Sequence, residues 1–246
     1  MRPILEVAGV SKRYGAKVVV DDVSFALERG ECLAIIGPNG AGKTTLLNLL
    51  DGSTKPNSGT IALDGNDITA TAQYRRARLG IGRAFQIPRP FVDLSAYENV
   101  LAGLMHGAGL KRDRARRGAM EILETVGLSG KRYQIAGSLP LLDRKRLELA
   151  KAMSVGSRVL LLDEIAGGLT EHEVHALVEI VATLKREHAV IWIEHIAHAL
   201  MAVADRMMVL HFGAKLIDAK PAQVMNDPIV HEIYLGIAVD DAASAD

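Results

Sequence analysis

The sequence predicts an α/β fold, with a core of sheet and helices, an antiparallel β subdomain and an inserted helical subdomain. Three observations predict it. An apolar strand at residues 32–36 runs into a glycine-rich turn and then into a helix. Shorter β-type stretches, separated by turn residues, precede that strand. After residue 87 the strand–helix alternation gives way to helices, and it resumes at residue 158.

These changes in pattern set the expected boundaries. Residues 1–87 and 158–236 form the core with its β subdomain, residues 88–157 the helical subdomain, and residues 237–246 a flexible tail. The apolar stretches at 4–10, 17–20 and 23–27 predict two or three antiparallel strands. Further strands are predicted at 32–36, 60–63, 81–86, 158–162, 190–194, 207–211 and 215–217. Helices are predicted at 43–50, 72–77, 95–105, 111–126, 144–154, 171–187 and 197–204, and after Pro221 and Pro228.

Composition excludes several classes of protein. Lys plus Arg and Asp plus Glu number 29 each, which argues against a general nucleic-acid binder. The only cysteine, Cys32, excludes a disulfide framework. No apolar run approaches the ~20 residues that span a bilayer, and no signal peptide is visible. We expect a soluble, cytosolic chain that reaches a membrane only through partners.

The glycine-rich turn has the G-x-x-x-x-G-K-[ST] pattern of a phosphate-binding loop, completed by Gly37, Gly42, Lys43 and Thr44. The glycines let several backbone N–H groups point at one anion, at the positive end of a helix. Lys43 supplies a mobile charge for the β- and γ-phosphates, and the Thr44 hydroxyl is placed to bind Mg²⁺. The candidate nucleotide-binding residues are Gly37, Pro38, Asn39, Gly40, Ala41, Gly42, Lys43, Thr44 and Thr45.

Polar side chains follow three of the predicted strands. Asp163 and Glu164 end the apolar run that begins at Val159, where ligands bind in open α/β sheets. Asp163 would hold Mg²⁺ opposite Thr44, and Glu164 would act as general base. His195 and Gln86 stand at two further strand ends, and His195 could hydrogen-bond a γ-phosphate.

Tyr14 is most simply a packed strand residue, and its alternative role is to stack on adenine. Together with the motifs above, it makes residues 4–236 resemble the ATP-binding subunit of an ABC transporter, which has a P-loop ATPase core. The resemblance implies that Glu164 is the catalytic glutamate and that Gln86 contacts Mg²⁺ and senses the membrane subunits. It also implies these roles: adenine stacking for Tyr14, Walker A for 37–44, Walker B for 159–163, and the switch histidine for His195.

Two regions look like the larger ATP-binding subunit of branched-chain amino acid importers. One is residues 82–86 followed by 94–100, and the other is the tail with residues 221–224, 227–230 and 234–236. Importers of urea and short amides look similar. The family resemblance implies ATP and Mg²⁺ as cofactors, and a position at the cytoplasmic face of the inner membrane. The implied partners are a second ATP-binding subunit, two membrane permeases and, indirectly, a solute-binding protein.

The chain departs from the family at residues 139–143, where the signature L-S-G-G-Q is expected. Pro140 has neither the hydroxyl nor the N–H of serine, Leu142 replaces a glycine, and Asp143 introduces a negative charge. All three changes should oppose binding of the partner's γ-phosphate. We therefore expect a heterodimer with one competent and one degenerate site.

Two smaller departures are Ile165 and Thr170, where the family has proline and Asp or Asn. The degraded signature leaves open a non-hydrolysing ATP-binding scaffold, although Glu164 and His195 are present. A soluble ABC protein of translation or repair would need a second ATPase half or a long coiled coil. A GTPase would need N-K-x-D after Lys43, and the sequence has none.

Overall fold

The computed structural model describes residues 2–235, so the predicted tail at 237–246 lies outside the described residues. The strands are β1 (Leu5–Tyr14), β2 (Lys17–Leu27), β3 (Cys32–Ile36), β4 (Ser58–Leu63), β5 (Asn66–Asp67), β6 (Ile81–Ala84), β7 (Val159–Asp163), β8 (Ala189–Ile193), β9 (Arg206–His211) and β10 (Ala214–Ala219). The helices are α1 (Lys43–Asp51), α2 (Gln73–Arg78), α3 (Ala96–Ala102), α4 (Arg112–Thr125), α5 (Leu141–Ser154), α6 (Glu171–Leu184), α7 (Ala197–Val203), α8 (Pro221–Met225) and α9 (Pro228–Leu235).

Within residues 2–235, the core is a six-stranded sheet in the order β10-β9-β3-β8-β7-β6. Its strands are parallel except for the edge strand β10. All five residues of β3 are buried. Cys32, Ala34 and Ile36 contribute to one apolar core, and Leu33 and Ile35 to another. This period of two shows that β3 is covered on both faces, as a near-continuous apolar run predicts.

The antiparallel subdomain is a second sheet, in the order β2-β1-β4-β5 among the described strands. The sequence predicts two or three strands before residue 32, and the structure has two, because β2 is continuous from Lys17 to Leu27. Asp22 adopts a positive φ of 48°, and the pairing of β1 with β2 shifts register nearby. Asp21 and Asp22 therefore mark an irregularity within one strand rather than a turn between two strands.

The helical segment contains α3, α4 and α5. Ser95 and Glu98 form the predicted capping box at the start of α3. The helix is α-helical only to Ala102 and continues as a π-helix over Gly103–Gly107. α5 begins at Leu141 rather than at the predicted residue 144, so part of the divergent signature lies in its first turn.

The helical segment shares one apolar core with the face of the large sheet that α6 and α7 cover. The apolar contacts of this core continue across residues 88 and 157 and do not mark a boundary there. The predicted domain boundaries at these residues therefore stay a prediction. In the part of the chain that the structure describes, we find no helix with both the length and the apolar character needed to cross a bilayer.

Candidate nucleotide-binding site

The candidate residues meet at one edge of the six-stranded sheet. In this sheet β6 pairs with β7, β7 with β8, and β8 with β3, and every one of these pairs is parallel. The carboxyl ends of the four strands therefore lie at the same edge. The phosphate loop follows β3, Glu164 follows β7, His195 comes after β8 and Gln86 after β6. This is where open α/β sheets bind ligands. The structure thus brings these four sequence-predicted elements together.

The phosphate loop needs glycine at two positions for space as well as for conformation. A Cβ on Gly37 would lie 2.1 Å from the Leu210 carbonyl oxygen, and one on Gly42 2.3 Å from that of Val19. Both residues have positive φ, 148° and 100°. The loop borders a cleft of about 270 Å³, lined by Lys17, Val19, Asn39, Gly40, Ala41, Gly42, Lys43, Thr44, Thr45 and Glu164.

Lys43 folds back over this loop. Its Nζ donates hydrogen bonds to the carbonyl oxygens of Gly37 (2.7 Å) and Pro38 (3.1 Å). Burial lowers the pKa of Lys43, and the carboxylates of Glu164 and Asp163 partly oppose that shift. A desolvated ammonium held by neutral carbonyls gains strongly from an anion, so the cleft is suited to phosphate.

Thr44 and Asp163 supply oxygen atoms suited to a divalent cation. Thr44 Oγ1 lies 3.4 Å from Asp163 Oδ1, across the start of α1 and the end of β7. Among residues 2–235 no three His, Cys, Asp or Glu side chains cluster as a metal site would require. Mg²⁺ is commonly held by few protein oxygens together with substrate phosphates, so these two residues fit it.

Arg83 is a charged neighbour of this pair that the motif search missed. Its Nη2 lies 2.7 Å from Asp163 Oδ2, and its Nη1 lies 2.6 Å from Asp51 Oδ2. The signal that could have found it is its place within the predicted strand at 81–86, which the structure shows to be largely buried. A charge at such a position requires a partner, and here it has two carboxylates.

Glu164 is contacted through both of its carboxylate oxygens. Gln86 Nε2 donates to Oε2 at 2.5 Å, and His195 Nε2 lies 2.7 Å from Oε1. Glu164 also has a φ of 48°, which is uncommon for a non-glycine residue and is found at functional sites. The three side chains form one connected group beside the phosphate loop.

Glu194 and Lys145 support this group, and sequence reasoning missed both. Glu194 accepts hydrogen bonds from the backbone N–H groups of Ala166 (2.6 Å) and His195 (3.2 Å), and burial raises its pKa. Lys145 on α5 donates to the carbonyl oxygen of Gln86 at 2.5 Å, and burial lowers its pKa. Both residues therefore order the loops that carry Gln86 and His195.

Tyr14 lies at the end of β1 and is half-exposed. Lys12 Nζ is 5.1 Å from the centre of its ring. Tyr14 does not line the cleft, although Lys17 and Val19 on the neighbouring strand do. Its stacking on adenine stays a prediction.

The divergent signature differs from expectation in its charge. Asp143 is buried in the first turn of α5 and forms ion pairs with Lys131 and, at 3.5 Å, with Arg146. Both cations compensate this charge within the chain and so reduce the expected repulsion of phosphate, which stays a prediction. Pro140 is the N-cap residue of α5, and its lack of an N–H remains an obstacle to phosphate binding.

Comparisons with known proteins agree on the family. The ABC transporter family model matches residues 20–167. BraF of Pseudomonas aeruginosa, a high-affinity branched-chain amino acid transport ATP-binding protein, is 38% identical over 96% of this chain and 99% of its own length. LptB of Acidithiobacillus ferridurans, a lipopolysaccharide export ATP-binding protein, is 33% identical over 96% and 98%.

A solved structure gives the same answer for the fold. The ADP conformation of MJ1267, an ATP-binding cassette of an ABC transporter, superimposes with a TM-score of 0.86 at 27% identity, over 96% of this chain and all of that one. The chain therefore belongs to the ABC transporter family, as one of its ATP-binding subunits.

Proposed function

We propose that this chain hydrolyses Mg-ATP to drive an importer of branched-chain amino acids. The observation that carries the ATPase activity is the contact of Glu164 with Gln86 and His195 beside the phosphate loop. The solute class and the direction rest on the similarity to BraF, whose identity of 38% exceeds the 33% of the exporter subunit LptB. Urea, short amides or another solute are the alternative cargo.

Each residue of the site has a definite task in this reaction. Lys43 would leave the carbonyls of Gly37 and Pro38 and bind the β- and γ-phosphates. Thr44 and Asp163 would hold Mg²⁺, which when bound neutralises phosphate charge. Phosphoryl transfer depends mainly on such positioning and charge stabilisation.

Glu164 would accept the proton of the attacking water, and His195 would donate a hydrogen bond to the γ-phosphate. In this structure both oxygens of Glu164 already have partners. Each oxygen keeps a second lone pair, so the carboxylate can accept a proton while Gln86 and His195 orient it. The contact with Glu164 makes Gln86 suited to couple hydrolysis to a conformational signal, and in the bound state it would contact Mg²⁺.

That signal would come from the membrane permeases. A cleft of about 400 Å³ opens between α2 and the helical segment, and Tyr74, Phe91 and His106 are among its lining residues. Tyr74 and Phe91 are exposed aromatic side chains, which are enriched at protein interfaces. Phe91 lies five residues after Gln86, so a permease helix seated there could move the loop that carries this glutamine. The chain would then work at the cytoplasmic face of the membrane.

A second ATP-binding subunit would complete the site. We propose a heterodimer, in which the partner's signature meets this chain's intact phosphate loop. Pro140 and Leu142 would weaken the reciprocal site, since Pro140 has no backbone N–H and the side chain of Leu142 hinders the close backbone approach that phosphate needs. The test substitutes Glu164→Gln in this chain and the matching glutamate in the partner, each alone. Equal losses of turnover from both substitutions would contradict the asymmetry.

The proposed function is tested on the complex purified in mild detergent from its native cell. Mass spectrometry should find two permeases and a second ATP-binding subunit with this chain. We expect Mg²⁺-dependent ATP hydrolysis that Lys43→Ala abolishes and that substitution of the exposed Lys111 by Ala leaves unchanged. No hydrolysis in the intact complex would favour the non-hydrolysing scaffold.

Cargo is tested by uptake into cells that lack or carry this chain. Labelled leucine should enter only when the chain is present and Lys43 is intact, whereas uptake of labelled urea should not change. The opposite pattern would keep the ATPase role and overturn the assigned solute.

A further inference from the structure

The Arg83 side chain is buried between α1 and β7. Only 7% of it is exposed, and its two acidic partners, Asp51 and Asp163, are exposed to 5% and 7%. Burying three charged groups is costly unless each is paired in good geometry. The sequence motifs of the family assign no role to Arg83, so its role must be read from the contacts of its guanidinium.

The guanidinium bridges two elements of the site. Nη1 donates to Asn48 Oδ1 and Asp51 Oδ2, both at 2.6 Å and both on α1, the helix that starts at the phosphate loop. Nη2 donates to Asp163 Oδ2 at 2.7 Å. The guanidinium carbon lies 4.8 Å from the centre of the Phe85 ring, which packs against the plane of the fork.

The α1 end of this bridge is itself fixed. Asp51 accepts further hydrogen bonds from the backbone N–H of Ser53 (2.7 Å) and from Gln73 Nε2 (3.3 Å). Arg83 therefore has one anchored carboxylate and one functional carboxylate. An arginine can serve both because its planar fork presents several donors at once, which a lysine ammonium on a flexible stem does not.

The bridge leaves the two oxygens of Asp163 in different situations. Oδ2 is held by Arg83, while Oδ1 is directed to the Thr44 hydroxyl at a long 3.4 Å. Since one arginine serves two carboxylates, the group of Asp51, Asp163 and Arg83 keeps one net negative charge. That charge and the weakly engaged Oδ1 are what a divalent cation would use.

We propose that Arg83 is a positioning residue that fixes the Asp163 carboxylate so that Oδ1, together with the Thr44 hydroxyl, receives the divalent cation of a bound nucleotide. The proposal rests on the Mg-ATP function proposed above. It opposes a simple electrostatic expectation, since removing a nearby positive charge should by itself strengthen cation binding. The sign of the change therefore distinguishes orientation from charge.

The experiment measures binding rather than turnover. A fluorescent ATP analogue is titrated into the purified full-length chain, once with EDTA and once with saturating Mg²⁺, and the ratio of the two dissociation constants gives the metal-dependent gain. For Arg83→Gln we expect this gain to fall about tenfold, because partners that orient metal ligands typically contribute 10–100-fold to metal affinity. The affinity in EDTA should stay within about twofold.

Arg158→Gln is the matched control. Arg158 directly precedes the other end of β7 and pairs with Asp64, far along the strand from Asp163. It should leave the metal-dependent gain unchanged. Arg83→Lys keeps the charge but not the fork, so it should lose most of the gain, and it decides the question if the glutamine variant does not fold.

Asp163→Asn tests the metal-binding role of Asp163 separately from the positioning role of Arg83. If this variant loses the metal-dependent gain and the Arg83 variants do not, Arg83 has no positioning role and the proposal fails alone. If Asp163→Asn leaves the gain intact, the metal role of Asp163 fails together with the proposal. A tighter metal response in Arg83→Gln would also overturn it, because charge would then outweigh orientation.

Discussion

His195 Nε2 lies 2.7 Å from Glu164 Oε1, and this contact joins the loops that follow β8 and β7. Gln86 holds the other oxygen of the same carboxylate. Side chains from two other loops thus fix the orientation of the Glu164 carboxylate. Each oxygen keeps a second lone pair, so a water molecule can still hydrogen-bond to this carboxylate, as the proposed base role of Glu164 requires.

Replacing Glu164 by Gln should remove hydrolysis but keep nucleotide binding. General acid–base catalysis contributes about 10²–10⁴-fold, so we expect turnover to fall at least about 100-fold in the assembled complex. Binding of a fluorescent ATP analogue should change less than about twofold, because Lys43 and the loop backbone remain. Glu171→Gln, an exposed carboxylate at the start of α6, is the control and should leave turnover unchanged. Residual hydrolysis near the original rate would show that another group acts as base.

Asp143→Asn should destabilise the chain. Asp143 is buried and forms ion pairs with Lys131 and Arg146, both of which are partly exposed. Allowing for solvent screening at these cations, the loss in the free energy of unfolding should be about 1 kcal/mol. Urea denaturation measures it, with Asp113→Asn on the exposed start of α4 as the control. If stability stays the same and the partner's site gains activity, the charge repulsion expected from the sequence is restored.

Phe212→Asn should stabilise the chain. Phe212 has a φ of 47° in the turn between β9 and β10, and the residue is 84% exposed. A left-handed conformation costs a residue with a bulky side chain roughly 1–2 kcal/mol, whereas Asn adopts it more readily. We expect the free energy of unfolding to rise by about 1 kcal/mol, or the melting temperature by about 2–4 °C.

Gly213→Ala, in the same turn, should act in the opposite direction. Gly213 also has a positive φ, and a Cβ there would lie 2.7 Å from the Val19 carbonyl oxygen. If both substitutions lower the melting temperature, contacts of the Phe212 ring outweigh its backbone strain, and the prediction is wrong.

His188 should make the stability fall at acid pH. Burial lowers its pKa below 6.5, although its hydrogen bond to the Ser157 carbonyl and the charge of Glu187 oppose the shift. The unfolded chain therefore binds a proton at His188 more readily than the folded chain, and stability decreases as the pH falls below about 6.5.

His188→Asn should remove part of this dependence, by less than about 1.4 kcal/mol per pH unit. Asn can still donate to the Ser157 carbonyl, so the change isolates the titration. Urea denaturation of both chains at pH 7.5 and pH 5.5 measures the difference, and the exposed His172→Asn serves as control. An identical pH dependence in all three chains would contradict the assignment.

Much of the fold is readable from the sequence because periodicity and turn residues agree. The strand at 32–36 and the helix that starts at Lys43 are confirmed almost to the residue. The sequence leaves two or three strands open before residue 32 because Asp21 and Asp22 look like a turn, and only pairing with β1 reveals that β2 is continuous. The start of α5 was placed too late because Pro140 looks like a loop residue, whereas it caps the helix.

The site was predicted where a motif identifies it and missed where only packing does. Lys43, Asp163 and Glu164 stand in recognisable patterns, since their chemistry fixes their spacing. Arg83 and Lys145 have no such pattern. Their partners come from strands and helices that are distant in sequence, so only the folded chain shows what they contact.

The hydrogen bond from Lys145 to the Gln86 carbonyl couples the position of α5 to the position of Gln86. This helix has 14 residues and is therefore about 21 Å long, with Pro140 at the end that a neighbouring subunit would touch. One turn further along, Glu148 accepts the backbone N–H of Arg89. α5 is thus hydrogen-bonded at two points, through Lys145 and Glu148, to the segment that begins at Gln86. A displacement of α5 at its Pro140 end would therefore shift Gln86, which contacts Glu164. Nucleotide bound by a neighbouring subunit would in this way affect Glu164 without any change in the large sheet.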